Sequence, residues 1–185
     1  MPMIMFDNYM LRTLKLHDAK DMFDYGKDPE VTKYLSWGPF HHLEEAKWSI
    51  KNIFFKRYKQ ELPIGYAIVD VHTSKMIGTI DFHSKIKGEN GAEIGYALHK
   101  DYWNKGIMSK AIKELIQIGF EYLGYDFIKI KHLSLNQASG KVIQKAGFSF
   151  IRKEPYILEK ATTVLSDDMM IYELTKESYY GNKQS

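Results

Sequence analysis

The sequence predicts an α+β domain built on a mixed sheet, and three observations carry that prediction. Strand-like segments crowd the middle of the chain, at 65–71, 76–82 and 92–98, after a run of helical patterns. One long apolar stripe at helical spacing (Met108, Ala111, Ile112, Leu115, Gly119, Tyr122, Leu123) then separates them from a strand at 127–133. A helix at 137–146 and a last strand pair (148–156 and 169–174) follow, so helices and strands do not alternate as they do in a doubly wound fold.

Each element has a local cause. Residues 10–16 alternate apolar and polar, as an opening strand does. A short helix runs from Asp18 to Tyr25, with Gly26 suited to end it. Asp28-Pro29-Glu30 starts the next helix, to about Leu35, with a capping carboxylate, a proline at the first position and an acid near the positive end. Leu43, Ala46, Ile50, Ile53, Phe54 and Tyr58 share one face and predict a helix over 43–60. Lys87-Gly88-Glu89-Asn90-Gly91 is a turn between strands. Gly124 and Gly147 close the helices before them.

Bulk properties narrow the function classes. At 185 residues the chain suits a single domain over 1–185, with a core of about 10–175. Apolar residues are 44% and charged residues 26%, as in soluble globular proteins. No apolar run approaches the roughly 20 residues that span a membrane, and the N-terminal residues do not read as a secretory signal. There is no cysteine, which excludes disulfides, thiolate metal sites and a cysteine nucleophile, and fits a cytoplasmic address. The net charge of +3 is slight, and no arginine-rich or glycine-aromatic tract points to nucleic acid. The histidines, His41-His42 included, lack metal-ligand spacing, so no metal site is expected. The oligomeric state is not legible.

Two stretches carry chemistry. Trp103-Asn104-Lys105-Gly106-Ile107-Met108-Ser109 opens the long helix, where unpaired N–H groups and the positive dipole end bind phosphate. Gly106 lets the backbone approach an anion closely. Asn136-Gln137-Ala138-Ser139, at a strand exit, leads a helix that stops at Gly147-Phe148, with Asn136 as a candidate N-cap.

Together, and with Ala92-Glu93-Ile94-Gly95-Tyr96, Asp28-Pro29-Glu30-Val31 and Asp167-Asp168, these stretches resemble the GNAT superfamily of acetyl-CoA-dependent N-acetyltransferases. The likeness is to the branch of Rim-type ribosomal-protein N-terminal acetyltransferases, and it covers roughly 10–175. It implies a twisted, centrally splayed sheet of six or seven strands flanked by about four helices. It further implies that the backbone from Asn104 to Ser109 holds the pyrophosphate of acetyl-CoA, with Trp103 at the loop's first position. Ala97 and Leu98 would bond the pantetheine and polarise the thioester carbonyl, Asn136 would touch the cofactor, and Ser139 would lie near its sulfur. Three positions depart from the superfamily pattern: Trp103 stands where arginine or glutamine is usual, Met108 where glycine or alanine is common, and Ile143 where many members have a tyrosine acid.

The attacking amine needs a base, because alkyl amines are mostly protonated near pH 7. Glu159, paired with Ser139, is the first candidate by resemblance; Glu93 and His83 are the second and third. Tyr34, Trp37 and Phe40 surround the loop where this fold recognises its acceptor. The acceptor expected from the likeness is a protein or peptide N-terminal α-amine, possibly ribosomal. The alternatives are a small-molecule amine such as an aminoglycoside or polyamine, and a non-catalytic acyl-CoA sensor.

Overall fold

The computed structural model describes residues 2–63, 65–161 and 163–183. Its eight strands form one sheet in the order β1-β2-β3-β4-β5-β6-β8-β7. They are β1 (Ile4–Phe6), β2 (Tyr9–Thr13), β3 (Tyr66–Asp70), β4 (Met76–Lys85), β5 (Gly91–Leu98), β6 (Phe127–Leu133), β7 (Ser149–Lys160) and β8 (Thr163–Thr175). The α-helices are α1 (Ala19–Gly26), α2 (Pro29–Thr32), α3 (Leu43–Ser49), α4 (Ile107–Gln117), α5 (Gln137–Lys145) and α6 (Lys176–Lys183).

The mixed α+β architecture is as predicted, with eight strands among the described residues instead of six or seven, and six helices instead of about four. The added strand is β1, whose apolar run shows no alternation and which pairs with β2 as a hairpin. The helix that Asp28-Pro29-Glu30 starts is present as α2 but stops after one turn at Thr32 instead of about Leu35, and the C-terminal α6, which has no strong apolar stripe, is added. The helix expected over 43–60 is α-helical only to Ser49; it continues as a π-turn over Ile50–Phe54 and a 3-10 turn over Phe55–Gln60. A π-turn over Ile118–Tyr122 likewise follows α4 before Gly124. The last strand pair is one long hairpin, with pairing from Ser149↔Glu173 out to Lys160↔Thr163.

Two apolar layers sandwich the sheet. Alternation sends Ile80, Phe82, Ala92, Ile94, Ile128 and Ile130 to one face, against Ala111, Ile112 and Leu115 of α4 and Ile143 of α5. Ala67, Val69, Met76 and Ala97 face the other way, onto Met22 and Tyr25 of α1 and Ala46 of α3. Buried side chains this numerous, each worth roughly 1.5–3 kcal/mol of transfer free energy, dominate the stability.

The sheet opens in its middle. β5 and β6 are its parallel neighbours, and they pair only from Gly91↔Phe127 to Ile94↔Ile130. Beyond that point β5 stays on β4 through Leu98, while β6 stays on β8 through Leu133. Gly95–Leu98 and Lys131–Leu133 therefore part like the arms of a V.

Candidate active site

A cavity of about 490 Å³ fills the V. Gly95, Tyr96 and Ala97 form one wall, and Lys131, His132 and Leu133 the other. Tyr34, Trp37 and Phe54 close it from the α1–α3 side, Asn136 and Ser139 from α5, and Tyr156 and Leu158 from the long hairpin. That hairpin is tied to α2 by Lys160, whose ammonium donates to the Thr32 carbonyl.

The backbone of β5 arms the cavity edge. His99 N–H donates to Ile77 O at 2.7 Å, which fixes the alternation along the antiparallel β4–β5 ladder. Odd residues, including Ala97, turn their peptide groups to β4, so those of Tyr96 and Leu98 point into the gap. Of the two strand-end residues singled out in the sequence, Leu98 thus turns its peptide groups to the gap while Ala97 spends its own on β4, and Tyr96 joins Leu98 at the gap. The Leu98 carbonyl is already engaged by Trp103 Nε1 at 2.8 Å, so the Trp103 side chain fastens the end of the strand. Leu98 N–H and both peptide groups of Tyr96 remain as a polar edge aimed at the gap.

The loop that opens α4 lies just beyond. Asn104 and Gly106 both adopt left-handed backbone, with φ of 59° and 75°. Ile107 and Met108 bury their side chains in the core, leaving the first N–H groups of α4 without intrahelical partners. An added Cβ at Gly106 would meet nothing within 4 Å, so the glycine serves its φ and leaves open room above the helix start. Asn104, Lys105, Gly106, Ile107, Met108 and Ser109 are thus continuous with the β5 edge, and an anion bound there suits the helix dipole.

Asn136 caps α5, its Oδ1 accepting from Ser139 N–H at 3.2 Å. Asp167 pins the loop that carries it, accepting from Ser134 Oγ at 2.5 Å and Leu135 N–H at 2.9 Å. Both Asn136 and Ser139 reach the cavity. Glu159 does not: hairpin alternation turns Leu158 inward and leaves Glu159 exposed, so it is not brought to Ser139.

The other two base candidates do meet. A bulge between Phe82 and Ser84 inserts His83 as an extra residue opposite Glu93. His83 Nε2 lies 3.1 Å from Glu93 Oε1, and Lys131 Nζ is 2.7 Å from the other oxygen. Glu93 is 8% exposed. Burial raises its pKa, but the hydrogen bonds from His83 and Lys131 outweigh burial and hold the carboxyl below its ordinary range. A carboxylate so stabilised is a weak base and a strong orienter. With Nε2 donating to Glu93, a neutral His83 would keep its lone pair at Nδ1, whose neighbour is the rotatable Ser84 hydroxyl at 3.2 Å.

Sequence reading missed the neighbouring pair. Asp81 is buried, with Arg57 Nε 2.5 Å from its Oδ2, and Arg57 Nη1 donates to the His83 carbonyl at 2.6 Å. Burial pushes the Asp81 carboxyl up, against the pull of Arg57 and His83. His132 lines the cavity too, but both its ring nitrogens are occupied, by the Leu133 carbonyl at 2.7 Å and the Tyr172 hydroxyl at 3.3 Å. Burial lowers its pKa and keeps it neutral, a structural role. Trp37 stacks on Phe40 with centroids 5.0 Å apart, and Phe40 itself is buried over Gly26. Tyr34 and Trp37 are half-buried at the rim. Among the described residues no His/Asp/Glu group is arranged to hold a metal, and no helix is long and apolar enough to cross a membrane.

Comparison with known proteins decides the family. A model described as "Acetyltransferase (GNAT) domain" matches residues 8–149. The chain belongs to the GNAT acetyltransferases. N-acetyltransferase p20 of Bacillus licheniformis is 36% identical over 174 residues, covering 92% of this chain and 94% of that one. Among solved structures, RimL, a ribosomal L7/L12 α-N-protein acetyltransferase in complex with coenzyme A, superposes with a TM-score of 0.81 at 18% identity, covering 96% of this GNAT chain and 99% of RimL. Ribosomal-protein-S5-alanine acetyltransferase from Vibrio fischeri gives 0.75 at 21% identity, covering 96% and 98%. This GNAT protein is therefore an N-acetyltransferase with the eight-stranded, centrally opened sheet described above.

Proposed function

We propose that this N-acetyltransferase moves an acetyl group from acetyl-CoA directly to the α-amine of a protein or peptide. When bound, acetyl-CoA supplies the acetyl group as a thioester. The residues present suit it: the Asn104–Ser109 cradle for its phosphates, and the peptide groups of Tyr96 and Leu98 for an arm that carries amides. Backbone N–H groups in that gap are also placed to stabilise negative charge developing on a carbonyl oxygen.

On the acceptor side, Glu93 holds His83 through Nε2, and His83 Nδ1 takes the proton from the attacking amine. Lys131 shares Glu93 and keeps it ionised. With no cysteine in the chain and the ring nitrogens of nearby His132 engaged by the Leu133 carbonyl and the Tyr172 hydroxyl, direct transfer is favoured over an acyl-enzyme.

The observation that carries the choice of acceptor is the charge of the cavity wall. Its two carboxylates, Asp81 and Glu93, each face a cation, Arg57 and Lys131. A wall so neutralised offers little to a polycation such as an aminoglycoside or polyamine. It suits a single amine, and an α-amine has a reference pKa of about 8 against about 10.4 for lysine, within easier reach of an imidazole base. RimL and the S5-alanine enzyme, ribosomal-protein acetyltransferases of the same fold, point the same way.

The test is an acceptor panel with acetyl-CoA, read as acetyl mass shifts: peptides with free and blocked N-termini beside aminoglycosides and polyamines. Acetylation of free N-termini alone is expected. Robust acetylation of an aminoglycoside or polyamine, with none on any peptide, would replace this reading with a small-molecule acetyltransferase.

A further inference from the structure

Tyr96 is the polar group that this mechanism leaves unused. Its peptide groups face the gap, while its side chain lies on the sheet face that carries α5 and lines the cavity beside Ser139. The hydroxyl is shielded from solvent and completes no hydrogen bond within the protein. Burial pushes its pKa up to about 12, opposed by the Ser139 hydroxyl next to it. The phenol is therefore un-ionised at neutral pH and keeps its proton. A buried donor without an acceptor is costly, so its presence at the wall of a binding cavity points to a ligand atom that accepts.

The geometry points to Tyr96 as the hydrogen-bond donor to the leaving sulfur of the acetyl donor, an inference that rests on the acetyl-transfer reading above. The two ends of the reaction need different partners. On the α1–α3 side stand His83 and Glu93, which receive the amine's proton. On the α5 side Asn136 Oδ1 is spent on a helix cap, Ile143 is buried and apolar, and His132 is saturated. Tyr96 and Ser139 are the hydroxyls left there. A phenol is a far better donor than an aliphatic hydroxyl, and Ser139, by donating to the Tyr96 oxygen, would aim the phenolic hydrogen away from itself and into the gap. Ser139 is then a positioning residue.

The step balances as follows. The amine nitrogen bonds the acetyl carbon and passes one proton to His83. The carbon–sulfur bond breaks with its electron pair going to sulfur, which accepts the Tyr96 hydrogen bond. The proton on His83 is returned through solvent as the thiolate becomes the free thiol of CoA.

The test is Tyr96→Phe, which deletes only the phenolic oxygen and should leave the fold intact by circular dichroism. Turnover should fall about 10²–10³-fold, the usual cost of one preorganised donor, with calorimetric CoA affinity changed less than about threefold. A second readout needs no acceptor. Because the chain has no cysteine, the CoA sulfur is the only thiol in the complex, and its ionisation can be followed by ultraviolet absorbance against the complex with desulfo-CoA. A phenol donating to the thiolate favours the charged form, so the thiol should ionise about one pH unit higher in Tyr96→Phe than in the wild type. Coincident titrations, or turnover within about twofold of wild type, would overturn the assignment. Shifted titrations in a wild-type protein that acetylates no amine would instead sink the transfer reading while leaving the Tyr96–sulfur contact in place.

Discussion

The imidazole of His83 lies directly over Gly95: a Cβ built on that glycine would sit 2.9 Å from His83 Cδ2. The glycine is thus the seat that lets Nε2 reach Glu93 Oε1 at 3.1 Å. Gly95→Ala should tilt the ring off its carboxylate. Turnover should fall at least about tenfold while CoA affinity is unchanged, since misplacing a catalytic group by about an ångström is enough for such losses. Steady-state kinetics beside calorimetry checks this; unchanged turnover would mean that the ring's position is immaterial.

His83→Ala should cost more, about 10²–10⁴-fold in turnover, the range expected for a positioned base. Glu93→Gln, which keeps the shape but loses the charge, should fall between Gly95→Ala and His83→Ala. If Glu93→Gln proved far worse than His83→Ala, Glu93 would itself be the base and His83 its satellite.

Acid stability follows from the same cluster. The Glu93 carboxyl is held below its ordinary 4.5, so the stability it contributes is present above that value and is lost as pH falls through the lowered, folded one. Urea midpoints taken from about pH 6 to about pH 3 should therefore drop less steeply in Glu93→Gln than in the wild type, although the variant starts lower at neutral pH. Parallel curves would assign the acid limb to other carboxylates.

Gly106→Val tests the cradle. At φ 75° a β-branched residue is strained by about 1–3 kcal/mol, with no neighbour to clash against, so the loop should relax away from its left-handed form. CoA affinity should weaken at least about tenfold by calorimetry in a protein that remains folded. Unchanged affinity would remove the cradle assignment.

What the sequence disclosed and what it hid divide along one physical line. The helix start behind Gly106 and the Asn136 cap are local, set within a few residues by a glycine and a three-residue spacing, and both were legible. His83 and Glu93 were each visible as candidates, but their meeting depends on a bulge that adds one residue to β4, and register across strands has no local signature. Arg57 and Asp81 are joined through the irregular end of a helix whose pattern read as regular to 60. Glu159 was misplaced because the charged, weakly alternating hairpin gave no sign of which face would turn inward. Tyr96 was visible only as the last residue of the Ala92–Tyr96 stretch, with no role of its own, because its backbone orientation, not its identity, brings it to the gap.

The V in the sheet also bears on how long this protein lasts. Four residue pairs join its two halves, and past Ile94 the rungs that another strand would supply are missing. An extended donor arm lying along Tyr96 and Leu98 would act as a ninth, removable strand, and whatever binds only the folded chain shifts the balance against unfolding in proportion to its concentration. Reactant and structural splint would then be one molecule, so a cell short of acetyl donor would hold a looser, more perishable enzyme at the moment it had least use for one.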